Sequence, residues 1–291
     1  MATLREVRKR IRGVKSTRRI TRAMEMVAAA KLRKAQARVE QAKPYAAKLD
    51  EMLSHLAAAS TGEIQHPFFE QRPVEKSTLV LVTADRGLCG SFNANLMREA
   101  EAWRREHADE PFEFMLFGKK GWDYYRRRDV DVLDHQLGWE GEMDYGRARD
   151  AVQMLTDRFV SGKTDRIDLI YTTFVSMGSF RVTRETFLPI PRHPTGSEDE
   201  DQERERDYIF EPDPQAIYEQ LLPYYATTKM ITVLTESFAS EQASRMLAMN
   251  AATKAAGDMI DALTLDFNKA RQAQITKELS EVVSGADALK G

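Results

Sequence analysis

Apolar residues recur at helical spacing along the C-terminal part of the chain: Leu221, Tyr225, Ile231, Leu234, Phe238, Met246, Met249, Met259, Ile260, Leu263, Phe267, Ile275, Leu279, Val282 and Val283. No proline follows Pro223, and the intervening positions are rich in Ala, Met, Leu, Lys, Gln and Glu, which favour helix. The pattern predicts one helix from Asp213 to Leu289, about 110 Å long at 1.5 Å per residue. A helix of that length with a single apolar seam needs a partner helix.

The N-terminus supplies one. Leu4, Val7, Ile11 and Val14 step by three, four and three, the heptad rhythm. The stripe is then expected to shift phase and resume at Ile20, Met24, Val27, Leu32, Val39, Leu49, Met52, Leu53 and Leu56, with a kink or loosening at Pro44. Paired antiparallel, the C-terminal helix exceeds its partner by about 20 residues, roughly 30 Å. That excess carries Ile275, Leu279, Val282 and Val283. An apolar stripe on a lone helix is marginal in water, so it is expected to end inside another protein.

Between these ends the period changes. A continuous apolar run at 78–83 predicts a buried strand, 112–117, 129–135, 167–175 and 179–190 (the last alternating in part) predict further strands, and 93–106, 121–128 and 144–159 predict helices. Alternating strands and helices predict a mainly parallel sheet. The short Met177-Gly178 turn predicts an antiparallel edge pair. The fold class is therefore α/β: a long antiparallel coiled coil of the N- and C-terminal helices plus a central Rossmann-like α/β domain. The expected parts are a coil helix 1–57, a connector 58–77, the α/β domain 78–210 and a coil helix 211–291. A loop over 189–207 is expected to be acidic and poorly ordered, with Tyr208 to Phe210 returning to the sheet edge, and Asp213 and Pro214 open the last helix.

Charge sharpens this picture. The formal net charge is -2, yet residues 1–40 carry thirteen Lys or Arg against Glu6, Glu25 and Glu40, and 197–207 carries seven acids against Arg204 and Arg206. The basic face (Arg5, Arg8, Lys9, Arg12, Lys15, Arg18, Arg19, Arg22) suits a solvated face, a nucleic-acid surface or a surface steered onto an acidic protein ring. Cys89 is the only cysteine, which excludes an intrachain disulfide and fits a reducing compartment. No apolar run is long enough to span a bilayer. The basic N-terminus resembles a transit peptide only superficially, because its helical pattern runs past residue 40 without a break in composition.

The segment closest to an enzyme site is Thr83 to Ser91 (TADRGLCGS), after a strand and before a helix. Its glycine spacing fits neither a dinucleotide fingerprint nor a phosphate loop. It is expected to be a tight turn in which Gly87 and Gly90 supply unusual backbone angles and Asp85 pairs with Arg86. Cys89 is expected to be a buried structural residue, having no histidine nearby in sequence to act as base. The five histidines (His55, His66, His107, His135, His193) lack metal-ligand spacing. No catalytic residue, cofactor or metal is expected.

Four segments resemble one known family. They are ITRAMEMVAAAKLRKAQ (Ile20 to Gln36), TADRGLCGSFN (Thr83 to Asn93), SEQASRMLAMNAAT (Ser240 to Thr253) and FNKARQAQITKELSEVVSGADAL (Phe267 to Leu289). In family order, and covering nearly the whole chain, they resemble the γ subunit of F-type ATP synthases. The resemblance implies a rotor shaft whose coiled coil enters the hexameric ring of α and β subunits. It further implies that the α/β domain at its foot contacts the ε subunit and the membrane c-ring. Proton flow would turn the c-ring and the shaft with it, and ATP would be made in the β subunits, the shaft itself being non-catalytic. By the same resemblance Arg271 and Gln272 contact a β-subunit loop, and Met24 with Arg245 faces the β-subunit lever. With Cys89 alone, the chain lacks the cysteine pair that gives chloroplast members redox control. The implied location is peripheral, on the cytoplasmic face of a bacterial inner membrane, without insertion and without nucleic acid.

Placing Leu4 opposite Leu265 puts Met24 near Arg245, to within about a turn of 3.6 residues. The competing readings are a basic coiled-coil protein that binds nucleic acid through residues 1–40 and an enzyme using the Asp85 to Gly90 turn.

Overall fold

The structure, a computed structural model, describes residues 3–59, 66–191 and 214–288. The acidic run 197–207, Tyr208 to Phe210 and the Asp213 cap lie outside the described residues. Contacts divide the chain into two compact units, Met1–Ala28 with Arg245–Gly291 and Ala29–Ser244.

Helix α1 spans Leu4–Ala59 and α5 spans Pro214–Ala288. Thr3 and Glu6 cap α1 reciprocally: the Glu6 carboxylate accepts the Thr3 N–H at 2.9 Å, and the Thr3 hydroxyl accepts the Glu6 N–H at 3.3 Å. This capping box satisfies two of the amides that a helix start leaves without partners. Helix α1 continues through Pro44 and α5 through Pro223. Each proline removes one internal hydrogen bond, and long flanking runs of good helix formers carry the helix across the gap.

In the smaller unit the start of α1 packs antiparallel on α5. Arg8 lies over the Phe267 ring at 5.3 Å, Gly257 faces the Arg18 guanidinium, Thr253 bonds Thr21, and Asn250 bonds Glu25. The two residue numbers in each of these pairs add to 274 or 275, so one register runs throughout.

In the larger unit the sheet has the order β3-β2-β1-β4-β5, from β1 (Ser77–Val82), β2 (Phe112–Phe117), β3 (Asp131–Gln136), β4 (Arg166–Ser176) and β5 (Ser179–Leu188). The first three pairings are parallel, and β4 with β5 is antiparallel, as the short turn predicts. Strand β1 is buried along its whole length, which explains its unbroken apolar run.

Helices cover both faces. On one, α2 (Phe92–Glu106) and α3 (Lys119–Tyr125) bring Leu96, Trp103 and Tyr125 against Leu79, Leu81 and Phe114. On the other, α4 (Tyr145–Val160) and the first turns of α5 bring Leu155, Phe159, Tyr218, Leu222 and Met230 against Val80, Met115 and Leu169. Leu53 of α1 joins this second cluster, where its carbonyl accepts the Tyr218 hydroxyl at 2.9 Å. The long helices are thus part of the α/β core as well as of the coil. The buried carboxylate of Asp168 on β4 is satisfied by Trp103, Arg166 and Thr186, at 2.8, 3.0 and 2.9 Å.

Candidate functional site

Two regions carry the residues singled out by the sequence. The first is the helix pair of the smaller unit. Its seam on α1 uses Leu4, Val7, Ile11, Val14, Thr21, Glu25 and Ala28, which keeps one heptad phase. The expected phase shift does not occur. Ile20, Met26 and Val27 are exposed instead, at 57, 61 and 59 %. The rhythm persists because polar residues occupy heptad positions and find partners on α5: Thr253 donates to Thr21 and Asn250 to Glu25, both at 2.8 Å. A count of apolar residues alone skips these layers and jumps to the outward-facing Ile20 and Val27.

The register corrects a second expectation. With facing pairs adding to 274 or 275, Leu4 lies level with about Arg271, not Leu265, and Met24 lies level with Asn250 and Ala251. Met24 and Arg245 are therefore offset by five or six residues, about 9 Å along the axis, and do not share a layer. Both are half-buried. Arg271 and Gln272 are exposed, at the level where α1 begins, and every position from there to Ser284 is exposed. Ile275, Leu279, Val282 and Val283 stand at 48, 61, 70 and 59 % exposure. The basic residues of α1 from Arg5 to Arg22 are all exposed, with Arg8 and Arg18 lying against α5.

The second region, in the larger unit, is the turn after β1. Its unusual backbone angles are at Leu88 (φ 62°) and Gly90 (φ 57°), not at Gly87. Leu88 is exposed while Cys89 beside it is 1 % exposed. Cys89 is a buried thiol that accepts the Asn93 side-chain N–H at 3.1 Å, and its carbonyl accepts the Ser244 hydroxyl at 2.7 Å. The sequence pairs Asp85 with Arg86; the structure gives the Asp85 oxygens to the backbone N–H groups of Lys119, Gly138 and Glu140, and the Arg86 guanidinium to Glu140 at 2.6 Å. These partners lie 34 to 55 residues away, too far for any local spacing to reveal.

The described histidines are used in packing. His66 caps the 3-10 turn Pro67–Phe69 by accepting the Phe68 N–H, His107 stacks on Trp103, and His135 stacks on Trp122. His193 and the His55 side chain lie outside the described residues. Among the described residues no group of His, Cys, Asp or Glu is arranged to hold a metal ion, and no helix is long and apolar enough to cross a membrane.

Comparison with known proteins covers the whole chain. The ATP synthase family model matches residues 3–289. The ATP synthase gamma chain of Moorella thermoacetica is 47 % identical over 290 residues, all of both chains. That of Desulforamulus reducens is 42 % identical over the same span, again all of both chains. Among solved structures, a chain of the Euglena gracilis mitochondrial ATP synthase (OSCP/F1/c-ring, rotational state 3) superposes with a TM-score of 0.70 at 20 % identity, covering 98 % of this chain and 94 % of that one. A chain from the rotor of the same enzyme gives 0.65 at 19 % identity, covering 94 % and 98 %. Full-length identity at this level, on helices and a sheet laid out as the four sequence segments require, places the chain in the family of ATP synthase gamma chains.

Proposed function

We propose that this chain is the turning shaft of a proton-driven ATP synthase and performs no bond chemistry itself. As a gamma chain it has its place in an ATP-synthesising and ATP-hydrolysing complex. The observation that carries the mechanical reading is the exposed run 271–284, an apolar-striped helix reaching past the start of its partner. Such a stripe gains from being enclosed, because burying apolar area is worth about 25 cal/mol per Å². A sleeve of α and β subunits would enclose it, with Arg271 and Gln272 meeting a β-subunit loop. Met24 and Arg245 would meet the β-subunit lever from separate layers. A single asymmetric shaft offers each of three identical partners a different face. Differential contact of this kind is what shifts a conformational equilibrium.

The non-catalytic reading draws on the turn after β1. Asp85 is committed to three backbone amides and Cys89 is buried against Asn93, so neither is arranged as an acid–base or nucleophilic pair. The family assignment favours the coupling subunit over a nucleic-acid-binding protein. The ε subunit and the c-ring are the further partners, and the cytoplasmic face of a bacterial inner membrane is the location.

The test is deletion of Thr276 to Gly291 in the assembled complex in vesicles. Proton-driven ATP yield falls while thermal unfolding of the α/β unit is unchanged. An unchanged yield would overturn the bearing role of the tip.

A further inference from the structure

We propose that the loop 137–142 between β3 and α4, anchored on Asp85, is the joint through which turning force passes between the sheet and the two long helices. The proposal rests on the shaft reading and adds where, inside the larger unit, the force crosses.

The loop holds one of its residues, Glu140, in a form that residue does not favour. Gly138, Glu140 and Gly141 all have left-handed φ, at 77°, 47° and 76°. For Glu140 that conformation costs roughly 1–2 kcal/mol and persists only when the surroundings fix it. Asp85 fixes it. One carboxylate oxygen accepts the Lys119 and Gly138 N–H groups at 3.0 and 3.1 Å, and the other accepts the Glu140 N–H at 2.8 Å. Asp85 thereby ties the end of β1 to the start of α3 and to the loop.

From the loop, contacts run to both long helices. Lys31 of α1 donates to the Glu140 carbonyl at 3.1 Å, and Lys34 lies 3.8 Å from the Glu142 carboxylate. The Gln242 amide of α5 sits so close that a Cβ at Gly141 would be 2.8 Å from its nitrogen. Trp139 is buried with its ring 5.7 Å from Phe117 of β2 and 5.9 Å from Phe238 of α5. Two hydroxyls of α5 pin neighbouring backbone: Ser244 on the Cys89 carbonyl at 2.7 Å and Ser240 on the Thr172 carbonyl at 3.1 Å.

The geometry matters because the apolar part of the helix–sheet contact is non-directional and does not by itself fix a rotation. Hydrogen bonds and close backbone approach are directional and fix the rotation of a helix about its own axis. Lys229 on Glu185 and Ser240 on Thr172 tie α5 to the sheet elsewhere; at this loop such contacts reach both α1 and α5. Asp85 is a positioning residue that acts through Gly138 and Glu140.

The experiment uses the assembled complex, held by its α and β subunits, with a probe attached at Met154→Cys on the outer face of α4 in a Cys89→Ser background. ATP-driven rotation is recorded first, then the thermal angular spread of the probe without ATP. Asp85→Asn puts an amide donor where a carboxylate oxygen receives N–H groups; Lys31→Met removes the pin on α1. Each widens the angular variance by about twofold, the low end of what a change in a packed coupling network does to a shared equilibrium. Lys31→Arg, which keeps a donor, leaves the spread at the wild-type value, as does the outlying Val160→Ala. If Asp85→Asn does not assemble, Lys31→Met carries the test. Unchanged variance in the assembled variants, or equal widening in Val160→Ala, overturns the joint while leaving the shaft intact. A wild-type probe that never rotates under ATP overturns the shaft reading itself.

Discussion

Thr253 of α5 donates a hydrogen bond of 2.8 Å to Thr21 of α1, in the layer where an apolar knob would otherwise sit. One turn away Asn250 donates to Glu25, again at 2.8 Å. Seams of small or repetitive apolar residues pack almost equally well one heptad out of step. Polar layers do not, because a slip leaves their donors and acceptors unpaired. The two pairs exchange some stability for a single alignment of the helix pair. That alignment decides which residues stand at each height.

The alignment is open to direct measurement. In a Cys89→Ser background, Thr21→Cys with Thr253→Cys forms a disulfide on mild oxidation of the assembled complex, because facing residues lie within bridging range. Met24→Cys with Arg245→Cys does not, being offset by about 9 Å along the axis. Electrophoretic mobility without reductant reads both. Bridging by the second pair and not the first would restore the alignment inferred from Leu4 and Leu265.

What the sequence discloses and what it withholds divide along the range of the forces. Strand β2 coincides with its apolar run 112–117, and the antiparallel β4–β5 pair follows from the brevity of Met177-Gly178. Both are consequences of local pattern. The seam of α1 is lost at Thr21 and Glu25 because their fitness for a core position is conferred by Thr253 and Asn250, more than 220 residues away. The stretch after β1 reads as a turn, yet its strained residue is Leu88. That angle falls on a non-glycine residue beside the buried Cys89, and glycine content does not report it. The Asp85 contacts are invisible for the same reason: nothing near Gly138 or Glu140 in sequence points to an aspartate at the end of another strand.

Two glycines with positive φ differ in what surrounds them, and Gly118, at ψ 143°, also lies in a region open essentially to glycine alone. Gly118 has φ 88°, and a Cβ there would lie 2.1 Å from the Thr83 carbonyl oxygen and 2.7 Å from its carbon. The obstacle is backbone at the end of β1, tied to β2 by the Thr83 N–H on the Phe117 carbonyl at 2.8 Å. Gly118→Ala therefore costs about 3 kcal/mol or more and leaves little folded protein. Gly138 has φ 77° with nothing within 4 Å of the same position. Gly138→Ala pays only the left-handed penalty, roughly 1–2 kcal/mol. Urea midpoints of the purified variants give the comparison. Equal losses would mean that the approach of Thr83 to Gly118 is not what holds that corner.

His66 makes the larger unit sensitive to acid. Burial lowers its pKa below the ordinary 6.5, and the nearby Glu219 carboxylate offsets this only in part. Its Nδ1 accepts the Phe68 N–H at 3.1 Å, and the ring packs edge-on against Phe68 and Phe69. Protonation turns that acceptor into a donor facing another donor. With the folded pKa depressed, the unfolded chain binds the proton more readily. The stabilising contribution is thus complete above pH 6.5 and is lost as pH falls through the folded value, with a slope no steeper than about 1.4 kcal/mol per pH unit for one proton. Asparagine accepts the same kind of N–H at a helix start without titrating. His66→Asn should therefore hold its melting temperature across this window while the wild type declines. Parallel decline of the two would place the acid sensitivity at another group.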